Sequence, residues 1–213
     1  RLEHVVERIK WRPGRVRVTA RVGAEGGVAW FEARAVVVTL PVGVLARPAG
    51  EPGALVFEPE LPEARAALAG LAMGPAVRVV VQLREPFWLR HGSVGDDGAA
   101  PAFLHAPAAP LPTWWPVPGE APVLVGWAGG PAAAALEVAD PLALARRAVR
   151  ALAAELGADP EAVAALVVSA WLHDWRADPY SRDAYSYALA GGAAAAARLA
   201  RPVAGTVFFA GEA

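Results

Sequence analysis

The sequence predicts a mixed α/β (α+β) fold on three observations. Ala35-Val-Val-Val-Thr-Leu40 is an unbroken apolar run of strand length, the pattern of a strand covered on both faces in a parallel or mixed sheet. Residues 77 to 83 alternate, with Val77, Val79, Val81 and Leu83 on one face and Arg78, Val80 and Gln82 on the other, as a strand requires. Pro141 to Leu156 has the punctuation of a helix: Asp140 as N-cap, proline at the first position and Gly157 as the stop.

The other elements follow in order. Val16 to Thr19 and Val28 to Phe31 read as strands, with the turn glycines Gly26 and Gly27 between them making a hairpin. The Pro/Gly-rich stretch Arg47 to Gly53 breaks the pattern and marks a crossing between domains. Pro62 suits a first helical position, so residues 62 to 72 predict a helix ended near Gly74. His91 to Gly119 is rich in Pro, Gly and Ala and predicts loops around one short strand, before a strand from Val123 to Trp127. Asp159-Pro160 starts a shorter helix, Val167 to Leu172 predicts a strand, and Ala193 to Ala200 an Ala-rich helix ended by Pro202.

Composition narrows the function. With 213 residues, 55% hydrophobic and 19% charged, the chain is core-forming and not of disordered type. A net charge of −1, with no cluster of cations in the sequence, gives no reason to expect nucleic acid or an anionic membrane as a partner. The longest apolar run, Ala162 to Leu172, is well short of the roughly 20 residues that span a bilayer. The absence of cysteine excludes disulfides, thiolate metal sites and cysteine nucleophiles. His4, His91, His105 and His173 have no paired spacing, so no metal is assigned. No G-x-G-x-x-G opens a strand-to-helix turn, so a pyrophosphate cradle of that type is not encoded here. A first residue Arg1 and a single methionine, Met73, fit a fragment of a longer chain.

Two motifs near the C-terminus carry a resemblance. Trp175-Arg-Ala-Asp-Pro-Tyr-Ser-Arg-Asp-Ala-Tyr185-Ser-Tyr resembles the W-x-x-D-P-x-x-x-G-x-Y-S signature of the flavin-containing amine oxidase family, and Phe209-Ala-Gly-Glu212 resembles its F-A-G-E strand end. That family includes monoamine and polyamine oxidases and lysine-specific histone demethylases. Ala35 to Leu45 is similar to the family's V-I-V-T-V-P-L-G-V-L, Val6-Glu-Arg-Ile9 to its V-x-x-I, and Phe57-Glu-Pro-Glu-Leu-Pro and Glu85-Pro-Phe87-Trp88 to segments of its substrate domain.

The resemblance implies an incomplete Rossmann-like FAD-binding domain, residues 1–50 and 175–213, around a substrate-binding domain, residues 51–174, with a mixed sheet flanked by helices. Val6, Pro41, Trp175, Gly211 and Glu212 are implied to meet the cofactor. Ala184 stands where monoamine oxidases carry the flavin-linked cysteine, so FAD is expected to be held noncovalently. Tyr185 is implied to form one wall of an aromatic cage that orients an amine through its π face. A packing aromatic is the other reading of each, weaker for Tyr185, whose spacing from Trp175 is that of the family, and stronger for Trp175. Arg78 matches a family lysine that holds a water near flavin N5; a guanidinium stays charged and cannot act as a base, and a plain surface arginine is the other reading. Asp183 replaces the family glycine before Tyr185.

The expected activity is two-electron oxidation of an amine C–N bond, with hydride passing to flavin and O2 as the electron acceptor. The alternatives are a desaturase or porphyrinogen-type oxidase on the same scaffold, or an inactive remnant. The expected partners are a small-molecule amine and O2, with neither nucleic acid nor membrane; the cytoplasm is the favoured compartment. Exposing Val36, Val37, Val38 and Leu40 on an incomplete sheet would forfeit roughly 6 to 12 kcal/mol, so the chain alone is expected to be marginal and to lose FAD.

Overall fold

A computed structural model describes residues 1–91, 102–119 and 121–212. In chain order the elements are β1 His4–Arg12, β2 Arg15–Val22, β3 Gly27–Ala33, β4 Val36–Val38, α1 Val42–Leu45, β5 Val56–Glu58, α2 Pro62–Leu68 and β6 Leu71–Gly74. There follow β7 Ala76–Leu83, α3 Trp88–His91, β8 Leu104–His105, β9 Thr113–Pro116, β10 Val123–Gly129, α4 Gly130–Ala134, α5 Pro141–Glu155, α6 Pro160–Ala165 and β11 Val167–Trp171. The last are β12 Tyr185–Ala188, α7 Ala195–Leu199 and β13 Val207–Phe209. The chain folds as two compact units, the first built from Arg1–Gly74 and Arg176–Ala213, the second from Pro75–Trp175.

The first unit holds a four-stranded sheet in the order β3-β2-β1-β5, antiparallel except for the parallel β1–β5 pair. Its core face carries Ile9 and Val16, which join Val38, Val42, Leu55, Leu61, Leu71, Leu199 and Val207 in one apolar cluster. Two further two-stranded sheets complete the unit: parallel β4–β13 and antiparallel β6–β12. Residues 51–74 pack in this unit because β5 hydrogen-bonds to β1 and α2 lies on α7.

Two expectations change. The helix predicted over 62 to 72 ends at Leu68, and Leu71–Gly74 is a strand, because Tyr185–Ala188 supplies a partner that local sequence cannot announce. Nor is β4 covered on both faces. Among the described residues it pairs with β13 alone, so Val38 is buried while Val37 is 60% exposed. Val36 is partly buried against the core, so the apolar exposure is that of about one valine, worth roughly 1.5 to 3 kcal/mol and not 6 to 12.

The second unit is a five-stranded antiparallel sheet in the order β11-β7-β10-β9-β8. Val77, Val79, Val81 and Leu83 of β7 pack with Leu124 and Ala128 of β10 and with Leu144, Ala148, Val149 and Leu152 of α5, which gives the alternation in the sequence its meaning. Asp140 Oδ1 accepts from Leu142 N at 3.0 Å and Ala143 N at 2.9 Å, and Asp159 Oδ1 caps α6 in the same way. Trp114 is fully buried and donates Nε1–H to Leu111 O at 2.7 Å. No helix among the described residues is long and apolar enough to cross a membrane.

Candidate functional site

The first unit gathers the conspicuous sequence motifs at one corner. β4 and β13 run parallel, and their carboxyl ends lie side by side, with Ala210 N donating to Val38 O at 3.0 Å. From β4 the chain passes through Pro41, which precedes α1 and whose carbonyl accepts from Val44 N and Leu45 N. From β13 it passes through Gly211, at φ +136°, where a Cβ would lie 3.6 Å from Thr39 O. Ligands of α/β folds bind at the carboxyl ends of parallel strands, which is where Pro41, Gly211 and Glu212 stand.

Tyr185 reaches the same corner through β12. Ala184 N donates to Gly74 O at 3.2 Å, and Ser186 N donates to Glu212 Oε2 at 2.8 Å, which ties the strand that bears Tyr185 to the end of β13. The Tyr185 ring lies over Gly74, where a Cβ would come within 3.0 Å of Cε2, and the side chain is 44% exposed. Tyr187, two residues on and therefore on the same face of the strand, is exposed as well.

The segment before Tyr185 is shaped by Asp178, whose Oδ1 accepts from Tyr180 N at 2.8 Å and whose carbonyl accepts from Arg182 N at 3.0 Å. Arg182 and Asp183 then take φ of +57° and +86°. Arg182 Nη2 donates to Pro52 O at 2.9 Å, while its buried Nε has no hydrogen-bond partner. The conformation at Asp183 is one that glycine adopts freely and that Asp tolerates better than most residues. Asp183→Gly is therefore expected to keep the melting temperature and Asp183→Val to lower it, as a thermal melt by circular dichroism would show.

The second unit holds two more of the expected residues, Arg78 and Trp175. Arg78 on β7 is exposed and stands opposite Trp127 of β10. It shares the open face of the sheet with Val80 and Gln82, whose amide oxygen accepts from Ser169 Oγ at 3.1 Å. Register places Trp115 and Trp171 on that face too, so Arg78 shares it with three indoles. Trp175 is 47% exposed and meets the His173 ring edge-on at 4.3 Å between centroids.

A family model for flavin-containing amine oxidoreductases matches residues 1–213. The chain belongs to this family. It is 32% identical over 205 residues to lysine-specific histone demethylase 1 homolog 3 of Arabidopsis thaliana, an alignment covering 93% of this chain and 12% of that protein. Among solved structures it is similar to wild-type putrescine oxidase bound to putrescine, with a TM-score of 0.74 at 19% identity over 97% of this chain and 42% of that one. A triple mutant of putrescine oxidase matches with the same TM-score, identity and coverage. The chain thus spans less than half the length of these relatives.

For an amine oxidoreductase of this family, the donor set at the corner of the first unit suits a flavin. Ser186 N fixes Glu212 Oε2 and leaves Oε1 to accept from a hydroxyl, and Gly211 lets backbone come close without a side chain in the way. Ala184 offers no nucleophile for a covalent link. Pro41, Tyr185, Gly211 and Glu212 are brought together here; Val6 lies on β1, just before a bulge in its pairing with β2, and Arg78 and Trp175 belong to the second unit. Sequence reasoning missed Gly74 and Ser186, which position Tyr185 through backbone contacts that no side-chain pattern signals. Among the described residues no His/Cys/Asp/Glu cluster could hold a metal ion.

Proposed function

We propose that the chain supplies the substrate-facing part and one cofactor edge of an FAD-dependent amine oxidase. The observation that carries this reading is the 2.8 Å bond from Ser186 N to Glu212 Oε2, which couples the Tyr185 strand to the strand end that would meet the cofactor. Noncovalently bound FAD would supply the acceptor for a hydride from the carbon next to the amine nitrogen, with O2 taking the electrons on to H2O2 and water hydrolysing the imine.

The residues of this chain do the rest. Tyr185 offers a π face to the amine and keeps water from it. Glu212 would accept a hydroxyl of the cofactor, with Gly211, Pro41 and the Val6 backbone as the other residues that would hold it. By resemblance to the family, Trp175 would be a further residue at the flavin.

Arg78 cannot take a proton, so it is not the base that neutralises the amine. Its fork geometry suits a carboxylate on the substrate. On that basis Arg78→Met is expected to lower kcat/KM for amines that carry a carboxylate by about tenfold relative to simple amines. An equal effect on both classes would remove Arg78 from substrate recognition.

The whole reading is tested by the absorption spectrum of the purified full-length protein and by peroxide release over a panel of amines. A colourless protein would leave it an inactive remnant. A flavoprotein that oxidises ring or C–C bonds but no amine would place it with desaturases or porphyrinogen-type oxidases.

A further inference from the structure

Strand pairing assembles a cationic surface that no stretch of the sequence displays. Arg8, Lys10 and Arg12 point from one face of β1, and Arg15 and Arg17 from the same face of β2, all exposed. Across the sheet one row reads Glu32, Arg17, Lys10, Glu58, and beyond it Arg12 stands directly opposite Arg15 at the hairpin end. At this end of the sheet five cations share the face with two carboxylates, while further along it Arg21 is paired with Glu7 at 2.9 Å, on a chain whose net charge is −1. A shallow cleft of about 420 Å³ runs over Lys10, Arg12, Arg15 and Arg17, between Glu32 and Glu58.

Two features set this apart from an ordinary solvated face. Like charges directly opposite each other in a ladder are destabilising, and here two successive pairs, Lys10–Arg17 and Arg12–Arg15, break that rule. The flanking carboxylates answer only in part. Glu32 accepts from Arg17 at 2.7 Å and from Arg15 at 3.1 Å, which holds its carboxyl below the ordinary value, and Glu58 pairs with Arg8 and Lys10. Among the described residues Arg12 has no ion-pair partner.

We propose that this strip of the β1–β2 hairpin docks an extended acidic peptide segment. Glu32 and Glu58 lie on the outer strands of a four-stranded sheet, roughly 14 Å apart at about 4.8 Å per strand. They would repel the phosphates of a nucleic-acid duplex but leave room for one narrow chain. Acidic side chains at alternate positions of an extended peptide recur at about 6.7 Å, which matches the repeat of Arg8, Lys10 and Arg12. Of the two indoles near the strip, Trp30 lies under the Arg17 guanidinium at 5.2 Å, and Trp11, at the cleft, is partly buried and donates Nε1–H to Pro59 O at 2.8 Å, so successive bases meet no open stack of rings.

The test is fluorescence anisotropy of the full-length protein with a fluorescein-labelled octapeptide of alternating Glu and Ser, and in parallel with a labelled short oligothymidylate. Saturable peptide binding is expected, weakened about tenfold between roughly 50 and 300 mM NaCl by screening. Arg12→Glu should weaken it by about tenfold or more, yet leave the melting temperature equal or higher because it relieves the repulsion from Arg15. Arg12→Gln gives the same loss without a new ion pair, and Arg146→Glu on the exposed side of α5 should change nothing. Lack of saturable binding, equal losses in Arg12→Glu and Arg146→Glu, or tighter binding of the oligothymidylate would each overturn the proposal.

Discussion

Replacing Tyr185 with alanine in the full-length protein is expected to cut kcat/KM for amines by about 100-fold, the usual scale when an orienting contact is lost, with the bound flavin spectrum nearly unchanged. The separation follows from how the residue is held. β12 is anchored by backbone bonds at Ala184 and Ser186, neither of which needs the phenol ring, so truncation removes the π surface and leaves the strand and Glu212 in place. Tyr185→Phe keeps the π face and should retain most of the rate. Stopped-flow flavin reduction separates the two roles: loss of flavin from Tyr185→Ala, with normal reduction of what remains, would make the ring a packing group.

A second large effect is expected at Gly43, where the reason is steric. A Cβ there would stand 2.4 Å from Arg182 O, 2.7 Å from Arg182 Cβ and 3.0 Å from Met73 Cγ. The first obstacle is a backbone carbonyl that cannot swing aside unless the segment leading to Tyr185 moves with it. Overpacking of this kind costs about 3 kcal/mol, so Gly43→Ala should lower the melting temperature by roughly 6 to 12 °C and impair amine turnover as well. A melt within a degree or two of the parent would show that the Arg182 segment yields cheaply.

Gly43 also shows why parts of this protein were readable in advance and others were not. Helix α5 announced itself because Asp140, Pro141 and Gly157 act within a turn of the residues they control, and β7 because burial on one face enforces its alternation. The two C-terminal motifs were visible through resemblance, and the structure joins them through Ser186 and Glu212. Leu71–Gly74 reads as the tail of a helix because its partner, Tyr185–Ala188, is remote in sequence and its burial depends on that pairing. The cationic strip was hidden for a related reason: Arg8, Lys10 and Arg12 alternate with other residues along β1, and only register with β2 brings five positive charges onto one face. The positive φ at Asp183 was foreshadowed by the glycine of the family pattern, but not its compatibility with aspartate.

The division of the first unit into two separated stretches has a consequence for biosynthesis. On the ribosome, Pro75–Trp175 emerges as one uninterrupted segment, and its antiparallel sheet can close once β11 is clear of the exit tunnel. The stretch that precedes it must wait: β6 gains β12, and β4 gains β13, only when residues 185–209 have been made. Until then β4 and β6 are unpaired apolar edges, open to wrong partners. Within this stretch the second unit is therefore complete in sequence before the corner that carries Tyr185 and Glu212 can close.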